Sequence, residues 1–163
     1  MNSVKDIFKE QISQHVVGLK HGYFVTVDSA ITTWNRNITV DTLDQFSQRE
    51  LVQICNAING YCFGRAFQRR EKRLKIVSAI EIGKDTQRLH AHFVMLHEGD
   101  CYRTAEHIAN RLKTVCKHVL KMSGSNVVDV KPFDSGKDWA EYFVKSTHFM
   151  KSRYDQFTNV SVY

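Results

Sequence analysis

Hydrophobic and polar residues follow two different periods along this chain of 163 residues. Alternation with a period of two predicts β-strands, whereas apolar residues three or four positions apart predict amphipathic helices. The alternating segments are Gly22–Val27, Leu74–Ile82, Arg88–Leu96 and Asn126–Phe133. The helical segments are residues 4–16, Gln45–Phe67, Thr104–Lys121 and the stretch after Ser135, while Ser29–Leu43 is predicted to be a polar connection.

The central elements therefore follow the order β-α-β-β-α-β. Ferredoxin-like and RRM-like folds share this order, in which an antiparallel sheet carries helices on one face. The length fits one domain, and the sequence has no GxxxxGK[ST] motif of a helicase. We expect a single α+β domain over residues 1–163, without a helicase domain, whose second sheet face is open and carries the active site.

The third predicted strand contains two histidines where a purely structural strand would carry Val or Ile. Because strand side chains alternate, His90 and His92 share the face away from the core, and neither is expected in the core. A hairpin centred near Asp85–Thr86 would place Glu81 opposite His90 and Ala79 opposite His92. Two imidazoles and one carboxylate suit a divalent cation such as Mn²⁺ or Mg²⁺. The alternative is a pair of surface histidines on a solvated sheet face.

The last predicted helix offers a nucleophile on its polar side. Trp139 and Phe143 form the apolar side, while Tyr142 and Lys145 lie three residues apart on the other. A phenol has a pKa of about 10, so its attack at neutral pH requires a nearby positive charge. Tyr142 is then the candidate nucleophile and Lys145 its electrostatic partner. The alternatives are an amphipathic surface tyrosine at this position, or Tyr154 as the nucleophile.

Basic residues outnumber acidic ones by 23 to 17, which gives a net charge of +6. This excess is compatible with a polyanionic partner such as nucleic acid. A basic segment precedes the second strand, and the polar connection contains a tryptophan and an arginine that could contact bases. The candidate DNA-binding residues are Arg65, Arg69, Arg70, Lys72, Arg73, Trp34 and Arg36. The basic segment could equally be an ordinary solvated helix end.

Four cysteines, Cys55, Cys62, Cys101 and Cys116, show no CxxC spacing. They are predicted to be reduced thiols in the core of an intracellular protein. No apolar run approaches the length of a transmembrane helix, and residues 1–17 are charged and amphipathic, unlike a signal peptide. We expect a soluble, cytoplasmic protein with no membrane partner.

Three short motifs, in this order, resemble those of the Rep-type HUH endonucleases, the rolling-circle replication initiators of plasmids and single-stranded DNA viruses. Tyr23–Val27 (YFVTV) resembles the first motif, a hydrophobic strand with a threonine. His90–Met95 (HAHFVM) resembles the second motif and Tyr142–Lys145 (YFVK) the third. Glu81 matches the acidic ligand that Rep proteins commonly carry one strand before the histidines. The resemblance covers about Tyr23 to Phe149, nearly the whole chain.

The resemblance implies a metal-dependent, sequence-specific single-stranded DNA endonuclease and strand transferase. His90, His92 and Glu81 would hold Mn²⁺ or Mg²⁺, while Tyr142, assisted by Lys145, would form a 5′-phosphotyrosine and release a 3′-OH. The implied substrate is single-stranded DNA at a replication origin or at the end of a mobile element. A host replication helicase or polymerase would be a further partner, and the gene would belong to a plasmid, phage or mobile element in a host cell.

Two kinds of alternative stay open. Within the superfamily, a single-tyrosine transposase has the same motif order but typically lacks the lysine, and a relaxase places its tyrosine before the histidines. Outside the superfamily, the element order fits a non-catalytic RRM-like nucleic-acid-binding module, although the glycine and paired strand aromatics of the RRM are absent. A nucleotide hydrolase with an H-x-H-x-H motif is disfavoured, because Val94 stands at the third position.

Overall fold

A computed structural model of the chain describes residues 10, 13–14, 17–32, 40–82, 88–119, 128–133 and 161–162. The elements follow one another as strands β1 to β5 and helices α1 to α3. In chain order they are β1 (His21–Thr32), α1 (Val40–Phe63), α2 (Arg65–Gln68), β2 (Lys75–Ile82), β3 (Arg88–His97), α3 (Ala105–Val119), β4 (Val128–Pro132) and β5 (Ser161–Val162).

The five strands form one antiparallel sheet in the order β4-β1-β3-β2-β5. Without the two-residue edge strand β5, this is the strand order of a ferredoxin-like core, so the predicted α+β fold class is confirmed. The central position of β3 follows from its sequence. Phe93 and Met95 face one side and Val94 and Leu96 the other, and all four are buried. A strand that is apolar on both faces is stable only between two neighbours and beneath two layers.

The main core lies between one face of the sheet and the long helices α1 and α3. Apolar residues at helical spacing on each helix meet the alternating apolar residues of the strands. The sheet contributes Tyr23, Val25, Val27, Ile76, Phe93 and Met95, α1 contributes Leu51, Ile54 and Ile58, and α3 contributes Ile108, Leu112 and Val115. Each such side chain stabilises the fold by about 1.5–3 kcal/mol on full burial.

The first long helix differs from its predicted bounds at both ends. It begins at Val40, within the segment that was predicted to be a polar connection, and it ends at Phe63. Gly64 interrupts it with a positive φ of 53°, and the one-turn helix α2 follows. The residues before Phe46 are mostly polar and show no apolar period that would indicate a helix. At the other end, a single glycine in the sequence can either be tolerated within a helix or interrupt it, so the break at Gly64 was not predictable.

The second face of the sheet is less open than predicted. Val77, Val94 and Leu96 lie on it with no exposed surface, although they are separate from the main core cluster. At this end of the strands, the second face is therefore not accessible to solvent. Most of the predicted helix at residues 4–16, and all of the one after Ser135, lie outside the described residues.

The described cysteines agree with the sequence-based expectation of free thiols. Cys55, Cys101 and Cys116 are buried, Cys62 is half-buried, and none of the four forms a disulfide. Burial raises the pKa of the Cys55 and Cys116 thiols to about 12, so both are neutral at physiological pH. Within the described part of the chain, no helix is long and apolar enough to cross a membrane.

Candidate metal and nucleic-acid site

The two histidines lie on the central strand, between residues of both neighbouring strands. Across β2 and β3, Glu81 is the partner of His90 and Ala79 is the partner of His92. This register, with its hairpin centre between residues 85 and 86, is the one that the sequence predicts. Because directly paired residues of antiparallel strands lie on the same face, His90, His92 and Glu81 belong to the same face of the sheet.

Strand β1 supplies the partners on the other side of the histidines. Thr26 pairs with His92, and Asp28 pairs with His90. The Oγ1 of Thr26 lies 3.2 Å from Nδ1 of His92, within hydrogen-bond distance. An oxygen of Asp28, Oδ1, lies 3.9 Å from Nδ1 of His90. Each imidazole therefore has an oxygen of β1 beside the same ring nitrogen.

The hydroxyl of Thr26 can accept a hydrogen bond from Nδ1 of His92 or donate one to it, so the contact allows either tautomer of this ring. When Nδ1 of His92 carries the hydrogen, Thr26 Oγ1 accepts it and Nε2 keeps the lone pair that a metal requires. The carboxylate of Asp28 favours the same tautomer in His90, in which Nδ1 carries the hydrogen. Oxygen partners of this kind orient metal-binding histidines and increase their basicity. The donor chemistry of the site therefore fits a divalent cation held by two Nε2 atoms and an acidic residue.

The two histidines differ in exposure. His92 is only 5% exposed, although it lies on the face opposite the main core cluster. The side chain of His90 is 21% exposed and that of Asp28 is 26% exposed. An approaching ligand therefore meets the His90 end of the pair first. The buried position of His92 results from its place on the central strand, one pair away from the fully buried Val94.

The acidic ligand is described only through the backbone register. Glu81 has its place opposite His90 on β2, and its side chain is outside the described residues. Among the side chains that are described, no group of three His, Cys, Asp or Glu residues is arranged to hold a metal ion. The full predicted ligand set of His90, His92 and Glu81 therefore stays a prediction.

Asp28 is the residue that the sequence-based prediction missed. It follows Thr26 by two positions, so the alternation with Val25 and Val27 puts both polar side chains on the face opposite the core. That signal was present in the sequence. The pairing of β1 with β3, which brings Asp28 next to His90, is a long-range contact and was not encoded by any local pattern.

Two of the described histidines outside the pair, His97 and His107, have structural partners. Nδ1 of His97 accepts hydrogen bonds from the backbone N–H groups of Gly99, at 3.0 Å, and Cys101, at 3.4 Å. Burial lowers the pKa of His97, which keeps this ring neutral. His107 and Thr104 bond reciprocally to each other's backbone N–H groups at the start of α3, at 3.3 and 3.2 Å. Both therefore stabilise local turns.

The predicted basic segment is exposed, and it lies at the other end of the sheet from the histidines. Its five cationic residues, Arg65, Arg69, Arg70, Lys72 and Arg73, are all solvent-exposed. The segment leads into β2 at Lys75, and Glu81 is six residues further along. At about 3.3 Å per residue, this is a separation of about 20 Å. The structure therefore does not bring the basic segment together with the histidine pair.

Four predicted functional residues, Tyr142, Lys145, Trp34 and Arg36, lie outside the described residues. Their proposed roles depend on the sequence alone. Comparisons of the chain with protein-family models, with curated proteins and with solved structures find no match. The resemblance to HUH endonucleases therefore depends on the motif residues of the sequence.

Proposed function

We propose that the chain is a metal-dependent endonuclease that nicks and rejoins single-stranded DNA through a covalent tyrosine intermediate. The observation that carries the proposal is the central strand β3, whose two histidines are paired with Thr26 and Asp28 on one side and with Ala79 and Glu81 on the other. Structural strands rarely place two imidazoles and two carboxylates at adjacent paired positions, because such groups stabilise little without a ligand.

His90, His92 and Glu81 would hold the cation, with Thr26 and Asp28 orienting the two rings. A bound Mn²⁺ or Mg²⁺ would supply Lewis-acid polarisation of the scissile phosphate and offset its negative charge. The phosphate would approach the half-buried His90 end of the pair, whereas the buried His92 would anchor the site in the fold.

Tyr142 would attack phosphorus in line with the departing 3′-oxygen. The phenol loses its proton, a tyrosine–phosphorus bond forms to the 5′ side, and the 3′-oxygen leaves and is protonated to a 3′-OH. Lys145, three residues away, would stabilise the phenolate charge. Attack by a 3′-OH on the phosphotyrosine reverses the step, which rejoins strands without ATP. A replication initiator would use this step, as would a single-tyrosine transposase or a relaxase-like enzyme of a mobile element.

A non-catalytic RRM-like module has less support. Such modules bind bases on exposed aromatic residues of the central strands. Apart from the two histidines, Phe24 is the only aromatic residue among the described residues on the second face of β1 and β3, and it is half-buried. A module of this kind also gives no reason for the acidic residues Asp28 and Glu81 opposite His90.

A gel assay tests the proposal. The protein is incubated with pooled single-stranded oligonucleotides and Mn²⁺, and covalent adducts are detected as slower bands that survive SDS. We expect adducts that are absent with EDTA and absent in His90→Ala. His118→Ala is the matched control, because it removes an exposed histidine of α3, and it should form adducts like the wild type. Equal adduct formation by His90→Ala in EDTA would overturn the proposed metal site. The absence of adducts with every DNA pool would overturn the proposed activity.

A further inference from the structure

The segment between β3 and α3 carries an aromatic side chain almost entirely in solvent. Tyr102 is 91% exposed, the highest value among the exposed large hydrophobic residues that the structure describes. Its two neighbours differ sharply, since Cys101 is buried and Arg103 is exposed. Fixed on one side by a buried residue, the exposed ring offers a flat apolar surface, which is what an unpaired base requires for stacking.

Arginines from two segments lie against Tyr61, and one of them, Arg103, follows Tyr102 directly in the chain. The guanidinium of Arg103 lies 4.3 Å from the ring centre of Tyr61, near the end of α1, and its Nε donates to the Tyr61 carbonyl oxygen at 3.3 Å. The guanidinium of Arg111, on α3, lies 5.8 Å from the same ring centre. Arg65 begins the basic segment four residues after Tyr61. The loop that carries Tyr102 and Arg103 therefore meets α1 and α3 around Tyr61, one helical turn before Arg65 in the chain, and we call Tyr102, Arg103, Arg111 and Arg65 the Tyr102 surface.

A second contact attaches the basic segment to the Tyr102 loop. The ammonium of Lys72 lies 3.1 Å from Oδ2 of Asp100, two residues before Tyr102. Lys72 is thereby neutralised and serves to position the segment. No ion pair joins Arg65, Arg103 or Arg111 to a carboxylate among the described residues, so these three charges remain available to an anionic partner.

The Tyr102 surface is far from the histidine pair. His97, at the end of β3, is seven residues from His90, which corresponds to about 23 Å along the strand. At about 3.4 Å per nucleotide of a stacked strand, a DNA chain would need about six or seven nucleotides to connect the two sites.

We propose that the Tyr102 surface binds a second, single-stranded segment of the same DNA, at least about six nucleotides from the phosphate that is cut. An unpaired base stacks on Tyr102, and the phosphates on either side contact Arg65, Arg103 and Arg111. Duplex DNA is a poorer partner, because its bases are paired and stacked and offer no free face to Tyr102. A protein is also a poorer partner, because the centre of a protein interface is usually apolar, whereas this surface carries three charged side chains. That the bound segment belongs to the DNA that is cut rests on the proposed function. The binding of a single strand to this surface does not.

Fluorescence anisotropy tests the inference apart from catalysis. Tyr142→Phe protein is titrated in EDTA with a labelled single strand of about 20 nucleotides, a length that spans both sites. The further change Tyr102→Ala should weaken binding by about 5- to 150-fold, the range for loss of one stacked base. Tyr102→Trp is the matched control and should bind at least as tightly as the parent. Tyr102→Ala should not change the affinity for a blunt duplex of the same length.

The charge contribution has its own control. Arg65→Gln should lower the slope of log K against log salt by about 0.7, one single-strand phosphate contact. Lys117→Gln removes an equally exposed cation from the far end of α3 and should leave the slope unchanged.

Any of three results would overturn the inference. They are an unchanged single-strand affinity in Tyr102→Ala, an equal loss of affinity for single strand and duplex, and no single-strand binding by the parent protein. Binding that depends on Tyr102 in a protein that never forms a covalent adduct would refute the proposed activity and leave this surface standing.

Discussion

The strongest local prediction concerns Arg70, which has a backbone conformation that favours glycine. Its φ is 61°, the one positive φ of a non-glycine residue among those described. Arg70 N–H bonds to the Phe67 carbonyl and Glu71 N–H to the Ala66 carbonyl, each at 2.9 Å. This pair of bonds is a Schellman motif that ends α2, with Arg70 at the left-handed position.

Replacing Arg70 by glycine should therefore stabilise the protein. A side chain at this position costs about 1–2 kcal/mol relative to glycine, and the greater backbone entropy of an unfolded glycine offsets about 0.5–1 kcal/mol of that gain. The net change in the free energy of unfolding should be a gain of about 0.5–1 kcal/mol, or a rise in Tm of about 1–4 °C for a domain of this size.

Arg69→Gly is the matched control, because it removes the neighbouring exposed arginine at an ordinary φ of −80°. Glycine should be destabilising there, by about 0.5–1 kcal/mol. The ion pair of Arg69 with Glu71, 4.0 Å long and exposed, adds little. Urea unfolding of the two variants should give changes of opposite sign. Equal destabilisation by both would refute the backbone argument. If Arg70→Gly is stabilising and also weakens DNA binding, the arginine is retained at this strained position for its charge.

Three further predictions follow from described contacts. Thr26→Val should weaken Mn²⁺ binding by about 10- to 100-fold by titration calorimetry, because His92 loses its orienting oxygen, whereas Thr26→Ser should bind nearly as the wild type. Asn59→Ala should destabilise the fold by about 1–3 kcal/mol in urea unfolding. Asn59 Oδ1 accepts a hydrogen bond from Leu74 N–H at 2.7 Å, and its Nδ2 donates one to a carbonyl of α1 at 3.0 Å. An unchanged free energy of unfolding would mean that water replaces both bonds. Burial lowers the folded-state pKa of His97 below its usual 6.5. The stability that this residue contributes is therefore present above pH 6.5 and is lost as the pH falls through the lowered value. His97→Gln should flatten this part of the curve of unfolding free energy against pH, and an unchanged pH dependence would contradict the assignment.

The four main strands and their order were predictable because they depend on local periodicity, whereas the extension of β1 to Thr32 and the two-residue strand β5 were not predicted. The alternation in β2 and β3, together with a short loop, was sufficient to give the register that pairs Glu81 with His90. The same alternation located the histidines on one face. These features require only the two-residue repeat of a strand and the geometry of a hairpin.

Features that depend on distant contacts were not predictable. Asp28 became a neighbour of His90 only through the pairing of β1 with β3, across more than sixty positions of sequence. The burial of His92 required knowledge that β3 is central and that the second face is covered beside Val94. The assembly of Arg103 and Arg111 around Tyr61 depends on how α3 packs against α1. In each case the local sequence is compatible with a surface residue, and tertiary packing decides the outcome.

Mapping the attachment point of the covalent DNA adduct tests the central claim most directly. The adduct formed with Mn²⁺ is digested with nuclease and protease, and the peptide that retains a nucleotide is identified by mass spectrometry. We expect the nucleotide on the peptide that contains Tyr142, and no adduct in Tyr142→Phe, whose DNA affinity should be unchanged. An adduct that persists in Tyr142→Phe, or that maps to Tyr154, would contradict it.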